Sequence, residues 1–237
     1  MSHELRTPLN AIIGFSAILS DEGYTDIDLE SRYGYCRDMH TSGQHLLELI
    51  NDILELSKIE AGKLDPELSS IDLSDIVSTC ARLQDIAAAE AGISLKVKIL
   101  GLLHKVRADG RMVRQVLLNL LSNAIKFTGR GGYIVILMDS GEKEVSIVVQ
   151  DNGIGMKPED IPKALEPFGQ LDSGLDRRFE GTGLGLPLSH ALIKVQSREF
   201  RISSELEKGT SVLFTLPRDM AEDRLVRDEE RSAESAA

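Results

Sequence analysis

The sequence has few cysteines, few aromatic residues and no long apolar run. Its 237 residues include two cysteines, no tryptophan and only 4% aromatic residues. Cys36 and Cys80 are far apart and lack metal-ligand spacing, so they give no disulfide framework and fit a reducing compartment. No apolar stretch approaches the roughly 18 residues that a membrane-spanning helix needs. We therefore expect a cytoplasmic chain with no membrane contact by this segment, whether alone or as the cytoplasmic part of a longer, membrane-anchored protein.

Positive charge is also in short supply. The chain has 27 Lys and Arg residues against 38 Asp and Glu residues, which gives a formal net charge of −11 at pH 7. General affinity for nucleic acids or anionic membranes normally requires the opposite balance. We therefore predict no nucleic-acid partner, and an anionic ligand would need a local site.

Apolar residues at helical spacing predict two helices in the first quarter of the chain. Leu9, Ile12 and Leu19 mark the first helix, and the polar residues 21–28 form a connection. The second helix, at about residues 29–61, carries an apolar series with the three- and four-residue steps of a coiled-coil seam. This series is Leu46, Leu49, Ile53 and Leu56. Two such helices cannot close a core alone, so we expect an antiparallel hairpin that forms a four-helix bundle with a second copy.

The pattern changes after residues 63–70, which we predict to be a linker and a hinge between two domains. A mixed α/β pattern follows. Helices are predicted at residues 72–91, 109–127 and 184–195, and strands at 93–99, 133–138, 145–150, 200–204 and 211–216. The length and weak periodicity of residues 157–182 predict a functional lid or a disordered segment. The predicted domains are therefore residues 1–62 and 71–217, with a disordered charged tail at 218–237.

The first chemical motif lies at the N-terminus. His3 precedes Glu4, and Thr7 lies one helical turn further on the same face. A neutral imidazole is a nucleophile near pH 7, and a neighbouring carboxylate can orient the ring and take its proton as a P–N bond forms. Pro8 would kink the helix just past this nucleophile and open backbone space beside it. The alternative is a solvent-exposed histidine in the first turn of a helix.

The second motif places polar residues on the helix predicted at residues 109–127. Asn119, Asn123 and Lys126 share one face, while an apolar stripe occupies another. The stripe consists of Val113, Val116, Leu117, Leu120, Leu121 and Ala124. Asparagine is a poor residue within a helix, so two at this spacing suggest oxygen ligands for Mg²⁺, with Lys126 for phosphate. The alternative is a solvated helix face.

Glycines mark two further motifs. Asp151 follows an apolar strand and precedes Gly153 and Gly155, which allow sharp turning and close approach of a ligand. A carboxylate at this place can accept a hydrogen bond from an exocyclic amine such as that of adenine. The alternative is a simple turn.

The second glycine motif opens the helix predicted at residues 184–195. It consists of Gly181, Thr182, Gly183, Leu184 and Gly185. Free backbone N–H groups and the helix dipole at such a turn can bind phosphates. Phe168, at the start of the predicted lid, is a candidate for packing on the nucleotide pocket, and the alternative is an ordinary core phenylalanine.

These motifs, in this order, resemble the H, N, G1, F and G2 boxes of the sensor histidine kinase family over about residues 1–217. The resemblance implies an α+β fold. It comprises an antiparallel helical hairpin, which forms a four-helix bundle as a dimer, followed by an α/β sandwich ATP-binding domain of the Bergerat type. Type II topoisomerases, mismatch-repair ATPases and chaperone ATPases share this sandwich. The cofactors implied are ATP and Mg²⁺.

The resemblance also implies residue roles. His3 is similar to the phosphoacceptor, Glu4 to its base and Thr7 to the residue that helps water dephosphorylate the partner regulator. Asn123 is similar to the Mg²⁺ ligand, and Asp151 to the adenine-binding carboxylate. The other implied nucleotide-site positions are Asn119, Lys126, Gly153, Gly155, Phe168, Gly181, Thr182, Gly183, Leu184, Gly185 and Thr210. The function implied is autophosphorylation on His3 and transfer to an aspartate of a response regulator receiver domain, together with regulator phosphatase activity.

Two other functions remain open from the sequence. One is an ATPase or serine/threonine kinase of the same nucleotide-binding superfamily, against which His3-Glu4 and the hairpin argue. The other is a catalytically degenerate dimeric docking protein for a response regulator. Asn123, Asp151 and the glycine-rich turns argue against it, and only nucleotide binding would decide.

Overall fold

The computed structural model describes residues 2–21, 27–169, 182–196 and 198–220. Contacts divide the chain into two compact units, Met1–Glu60 and Ala61–Ala237. The first unit holds two helices, and every strand found in the described residues belongs to the second. The predicted α+β class, with a helical hairpin ahead of a sandwich, is thereby confirmed. In this described part, no helix combines the length and apolar character needed to cross a bilayer.

The first unit is a hairpin of α1 (Ser2–Ser20) and α2 (Leu29–Glu60). Asp28 caps α2, since its Oδ1 accepts a hydrogen bond from the Ser31 N–H at 2.8 Å. Near the connection, the rings of Phe15 and Tyr35 stack with centroids 5.1 Å apart. Of the predicted seam, Leu49 is fully buried within one chain, and the other three residues are half-buried.

A second apolar stripe, which the sequence did not single out, runs along the outside of the hairpin. It consists of Leu47, Ile50 and Leu54 on α2 and of Leu9 and Ile13 on α1. Their exposed fractions lie between 42% and 59%. The three α2 residues follow three- and four-residue steps, so they form one face of the helix. We call these five residues the outer stripe.

The second unit combines a five-stranded sheet with a small two-stranded sheet. Its strands are β1 (Ser69–Ile71), β2 (Ser94–Leu100), β3 (Val106–Ala108), β4 (Tyr133–Ser140), β5 (Glu144–Asp151), β6 (Phe200–Glu205) and β7 (Gly209–Pro217). Its α-helices are α3 (Leu73–Glu90), α4 (Gly110–Phe127), α5 (Ile161–Ala164) and α6 (Gly185–Val195). The large sheet has the order β2-β4-β5-β7-β6. β2 pairs with β4 in parallel, and the other neighbours are antiparallel.

Buried and more exposed side chains alternate along the strands, so that one face of this sheet lies towards the core. Ile134, Ile136 and Met138 of β4 are fully buried, as are Val145 and Ile147 of β5. The helices α3, α4 and α6 pack together and contact strands of the sheet. All six residues of the apolar stripe predicted on α4 are buried. The core of the unit therefore lies between this sheet face and the three helices.

The ends of the second unit differ from the predicted linker and tail. Ser69 and Ser70, assigned to the linker, lie in β1 and pair with Ala108 and Arg107 of β3. Arg218, assigned to the tail, forms a bridge with Val106, and the Asp219 N–H donates to the Lys105 carbonyl at 2.8 Å. Backbone pairing with distant segments thus shortens both the linker and the tail. Residues 221–237 lie outside the described part.

The segment predicted as a lid begins with ordered turns. A 3₁₀ helix spans Pro158–Asp160, and α5 follows it directly. Pro158 and Pro162 occupy early positions of these helices, where the missing N–H of proline costs nothing. The rest of the predicted lid, residues 170–181, lies outside the described residues.

Candidate active site

Asp151 ends β5 with its side chain 9% exposed. Its Oδ1 accepts hydrogen bonds from the backbone N–H groups of Gly153, at 2.9 Å, and Thr210, at 3.2 Å. Burial raises the pKa of Asp151, and these two hydrogen bonds oppose the rise. Both bonds end on Oδ1, and no described residue donates to Oδ2, so Oδ2 can accept from a donor on a ligand. The structure therefore brings the predicted positions Asp151, Gly153 and Thr210 together.

Gly153 and Gly155 lie against backbone that would exclude a side chain. A Cβ on Gly153 would collide with the carbonyl oxygen of Phe127, and one on Gly155 with that of Glu205. Gly155 also has a φ of +60°, which favours glycine. The Ile154 N–H donates to the Phe127 carbonyl at 3.1 Å. The turn after β5 is therefore packed tightly against the end of α4 and the end of β6.

Ser204 holds this turn in place and was missed by the sequence reasoning. Its buried hydroxyl accepts a hydrogen bond from the Met156 N–H at 2.9 Å and donates to the Gly209 carbonyl at 3.0 Å. It also lies 2.9 Å from the Thr210 hydroxyl. No local sequence signal marks Ser204, because its partners come from two other segments, the turn after β5 and the start of β7.

Asn119 and Asn123 of α4 lie against the start of α6. The Asn119 Nδ2 donates to the Gly185 carbonyl at 3.4 Å. A Cβ built on Gly185 would lie 3.8 Å from the Asn119 Cγ and 3.8 Å from the Asn123 Nδ2. Lys126 is half-buried one turn further along α4, with its ammonium 4.9 Å from the centroid of the Phe127 ring. The polar face predicted on α4 is therefore next to the glycine-rich turn.

Phe168 and Gly183 meet through their backbones. The Phe168 N–H donates to the Gly183 carbonyl at 3.0 Å, and both residues have a positive φ, of 62° and 66°. A Cβ on Gly183 would lie only 2.9 Å from the Phe168 Cα. The Thr182 hydroxyl accepts from the Leu184 N–H at 3.1 Å just before α6 begins. Gly181 lies outside the described residues.

His3, Glu4 and Thr7 lie in the first two turns of α1. Glu4 is half-buried and Thr7 is exposed, while the His3 side chain lies outside the described part. Pro8 follows inside the helix with a buried ring. These residues belong to the hairpin unit, whereas all predicted nucleotide positions belong to the second unit.

The arrangement in the second unit fits a nucleotide better than a metal alone. Among the described residues, no group of three or more His, Cys, Asp or Glu side chains gathers as a metal site. Mg²⁺ is usually held by one or two protein oxygens together with substrate phosphates. The amide oxygens of Asn119 and Asn123, next to a helix N-terminus suited to phosphate, supply such a set.

Two protein-family models match the chain. One, described as the histidine kinase-, DNA gyrase B- and HSP90-like ATPase, matches residues 108–220. The other, described as the His Kinase A (phospho-acceptor) domain, matches residues 1–62.

Individual proteins are similar over almost the whole chain. The non-motile and phage-resistance protein of Caulobacter vibrioides is 43% identical over 232 residues, which cover 96% of this chain and 27% of that protein. The cell-division control histidine kinase PdhS of Brucella suis is 40% identical over 227 residues, 92% of this chain and 22% of that protein. The chain thus spans about a quarter of the length of these curated relatives.

A solved structure extends the similarity to three dimensions. The crystal structure of full-length ShkA in complex with AMPPNP has a TM-score of 0.71 and 29% sequence identity. The match covers 92% of this chain and 44% of that one.

Proposed function

Because the chain belongs to the sensor histidine kinase family of two-component signalling, we propose that it uses ATP to phosphorylate its own His3. The phosphoryl group then passes to an aspartate in the receiver domain of a response regulator. The chain includes both a phosphoacceptor region and an ATP-binding region, which supports this proposal. The observation that carries it is the buried Asp151 carboxylate, fixed by two backbone N–H groups and with one oxygen available to adenine.

The proposed reaction forms one bond and breaks one. An imidazole nitrogen of His3 attacks the γ-phosphorus, the bond to the β–γ bridging oxygen breaks, and ADP leaves. Glu4 accepts the imidazole proton. Such a transfer depends mainly on positioning and on electrostatic stabilisation. The phosphoramidate is labile enough to pass its group to a regulator carboxylate, and Thr7 would orient water for the reverse, phosphatase role.

In the nucleotide site, each group has a separate proposed task. Asp151 accepts a hydrogen bond from the adenine amine, while Gly153 and Gly155 let the chain turn tightly beside it. Gly183, Gly185 and the first N–H groups of α6 face the phosphates. Asn123, supported by Asn119, would hold Mg²⁺, and Lys126 would neutralise phosphate charge. Mg²⁺, when bound, supplies positive charge to the γ-phosphate.

The remaining proposed nucleotide positions act mainly through the backbone. They are Phe168, Gly181, Thr182, Leu184 and Thr210. We propose the phosphotransfer domain at residues 1–62 and the ATP-binding domain at residues 71–217, the latter extended by the paired residues Ser69, Ser70 and Arg218. The partners are a second copy of the chain, bound through the hairpin, and the receiver domain of a response regulator.

Labelling with γ-³²P-ATP and Mg²⁺ tests the activity. We expect label that resists alkali and is lost in acid, because a P–N bond is acid-labile. His3→Ala should abolish the label, while the matched controls His40→Ala and His45→Ala, on α2, should retain it. Removing Mg²⁺ with a chelator should also abolish it.

Three results would contradict the proposal. Label that persists in His3→Ala would place the acceptor elsewhere. Absence of label in a chain that binds ATP would favour the docking protein. An acid-stable label would instead indicate a serine/threonine kinase.

A further inference from the structure

Asp109 is only 1% exposed, and both oxygens of its carboxylate accept hydrogen bonds. Its Oδ1 accepts hydrogen bonds from the N–H groups of Arg111, at 2.9 Å, and Met112, at 3.4 Å, and so caps α4. Its Oδ2 accepts the backbone N–H of Glu67 at 3.0 Å and lies 3.3 Å from the guanidinium of Arg111. The bonds to Arg111 and Met112 cap α4. The bond to Glu67 is not a capping bond, because Glu67 belongs to the segment between the hairpin and β1.

Asp109 also connects α4 to the far end of α6. The Asp109 N–H donates to the Gln196 Oε1 at 3.0 Å, one residue beyond the last residue of α6. Gln196 is itself buried, and its Nε2 donates to the Leu192 carbonyl at 3.3 Å. At the other end of α6, the Gly185 carbonyl accepts from Asn119 of α4. The two helices that carry the nucleotide site are therefore linked at both ends of α6.

The bond from Glu67 to Asp109 holds the linker more firmly than the nearby ion pair of the Glu67 side chain does. A backbone N–H bound to a buried carboxylate is a charge-assisted hydrogen bond. The Glu67 side chain also lies 3.4 Å from Arg111, but both side chains are more than 70% exposed, so this ion pair contributes little. Burial alone would raise the pKa of Asp109, but the hydrogen bonds from Glu67, Arg111 and Met112 outweigh it and lower the pKa. The carboxylate is thus ionised at neutral pH.

The chain is fixed continuously from Glu67 onwards. Two residues later, β1 begins to pair with β3, whose last residue, Ala108, immediately precedes Asp109. Gly62 lies before Glu67, two positions after the last residue of α2, and has a φ of +63°. The segment between α2 and Glu67 is therefore bounded by a helix end on one side and by Asp109 on the other.

We propose that Asp109 is a positioning residue for phosphoryl transfer. It fixes the end of the linker at Glu67 and joins that end to α4 and α6, so that the hinge comprises residues 61–66. Movements of the linker are then passed to the helices that hold the nucleotide. This inference rests on the proposed kinase function.

Asp109→Asn separates the two roles of the side chain. The amide oxygen can still cap α4, and asparagine is as good an N-cap as aspartate. The NH₂ group takes the place of Oδ2 and cannot accept the Glu67 N–H. Asp109→Ser is the second variant, because it retains a capping oxygen and removes Oδ2 without adding an amide donor. Glu67→Gln and Arg111→Gln are the matched controls, since they remove the ion pairs of Arg111 with Glu67 and with Asp109 and leave the backbone bond.

Hydrogen exchange followed by mass spectrometry, ATP titration and label incorporation are measured on the full chain. In both Asp109 variants we expect at least tenfold faster amide exchange in a peptide spanning residues 63–72. The ATP Kd should stay within twofold, and the rate of His3 labelling at saturating ATP should fall at least threefold. Glu67→Gln and Arg111→Gln should behave as the unaltered chain.

Three outcomes would overturn the inference. They are unchanged exchange in both variants, faster exchange with unchanged labelling, and a loss of ATP affinity parallel to the loss of labelling. The last would give Asp109 a structural role in the nucleotide site only. If the unaltered chain takes no label, the proposed function fails, whereas exchange and ATP titration still report whether Asp109 anchors Glu67.

Discussion

At the scale of single residues, we expect the orientation of the Asp151 carboxylate to determine which base the proposed nucleotide site accepts. Asp151 receives Gly153 and Thr210 on the same oxygen, so the plane of the carboxylate is fixed before a ligand arrives. Its other oxygen is an acceptor, and the exocyclic amine of adenine is a donor. Guanine carries an acceptor at the equivalent position. A fixed acceptor in a buried place therefore favours adenine over guanine.

We predict that Asp151→Asn weakens ATP binding at least tenfold, which is about 1.4 kcal/mol. The amide oxygen keeps the two backbone hydrogen bonds, which turns the NH₂ group towards the adenine amine, so that two donors meet. GTP should lose less affinity than ATP, because its carbonyl can accept from the new NH₂. Calorimetric titration with both nucleotides measures this. Asp139→Asn, at an exposed position of β4, is the control, and equal losses for ATP and GTP would refute the argument.

Whether the interaction of a residue could be predicted from the sequence depended on how far apart in the chain its partners lie. The helix predicted at residues 109–127 begins with Asp109, a residue type favoured at N-caps, and the structure has Asp109 as the N-cap of α4. The bond from Glu67 to the same side chain joins residues 42 positions apart, and Ser204 is bonded to Met156 across 48 positions. Neither is readable from local spacing, because the pairing depends on how the sheets assemble.

At the scale of elements, α2 contains a carboxylate whose charged form is destabilised by burial and by neighbouring acidic side chains. Asp52 is half-buried, with Glu48 and Glu55 about one turn away on either side. Burial, followed by repulsion from Glu55 and Glu48, raises the pKa of Asp52 from 3.8 to about 6. The folded state therefore binds a proton at a pH at which the unfolded chain has already lost it.

We predict that Asp52→Asn raises the unfolding temperature at about pH 7.5, where the aspartate is charged in both states. Between pH 3.8 and about 6, the folded state binds more protons than the unfolded state, so the Asp52 contribution to stability falls as pH rises through this window. The gain from the substitution should consequently shrink towards pH 4. Circular dichroism melts across this range measure it, with Glu60→Gln on the exposed end of α2 as control. A gain that does not depend on pH would contradict the prediction.

Elements with several periods of their pattern were predictable, and very short ones were not. Helices α2, α3 and α4 and the β4–β5 hairpin repeat their apolar spacing often enough to identify them from the sequence. Strands β1 and β3 have three residues each, which is less than two periods of alternation. They exist because each supplies the partner of the other, about 35 positions away.

At the scale of the whole molecule, the outer stripe is the main exposed apolar feature of the hairpin. The sequence predicted that a hairpin of this kind needs a second copy, and the apolar series that it identified on α2 was the seam that includes Leu49. Leu49 is already buried within one chain, whereas the outer stripe is exposed in the described part of the hairpin and can contact a partner. The sequence did not separate the two because both have the same three- and four-residue spacing. Apolar stripes of this kind on a soluble chain typically mark interaction sites.

We predict that Ile50→Glu combined with Leu54→Glu converts the chain from a dimer into a monomer, as measured by light scattering. In a two-fold dimer each substitution occurs twice. Ile50 and Leu54 are 42% and 54% exposed in one chain, so burying the rest of each side chain is worth about half of the roughly 1.5–3 kcal/mol of full burial. Four such losses, together with four carboxylates placed in the interface, disfavour the dimer. The ATP Kd should stay unchanged, because the nucleotide residues belong to the separate unit Ala61–Ala237. Lys58→Glu, an exposed charge reversal on α2, is the control. A dimer that survives the double substitution would exclude the outer stripe as the interface, whereas a monomer that has also lost ATP binding would show that the substitutions disturb the fold beyond the hairpin.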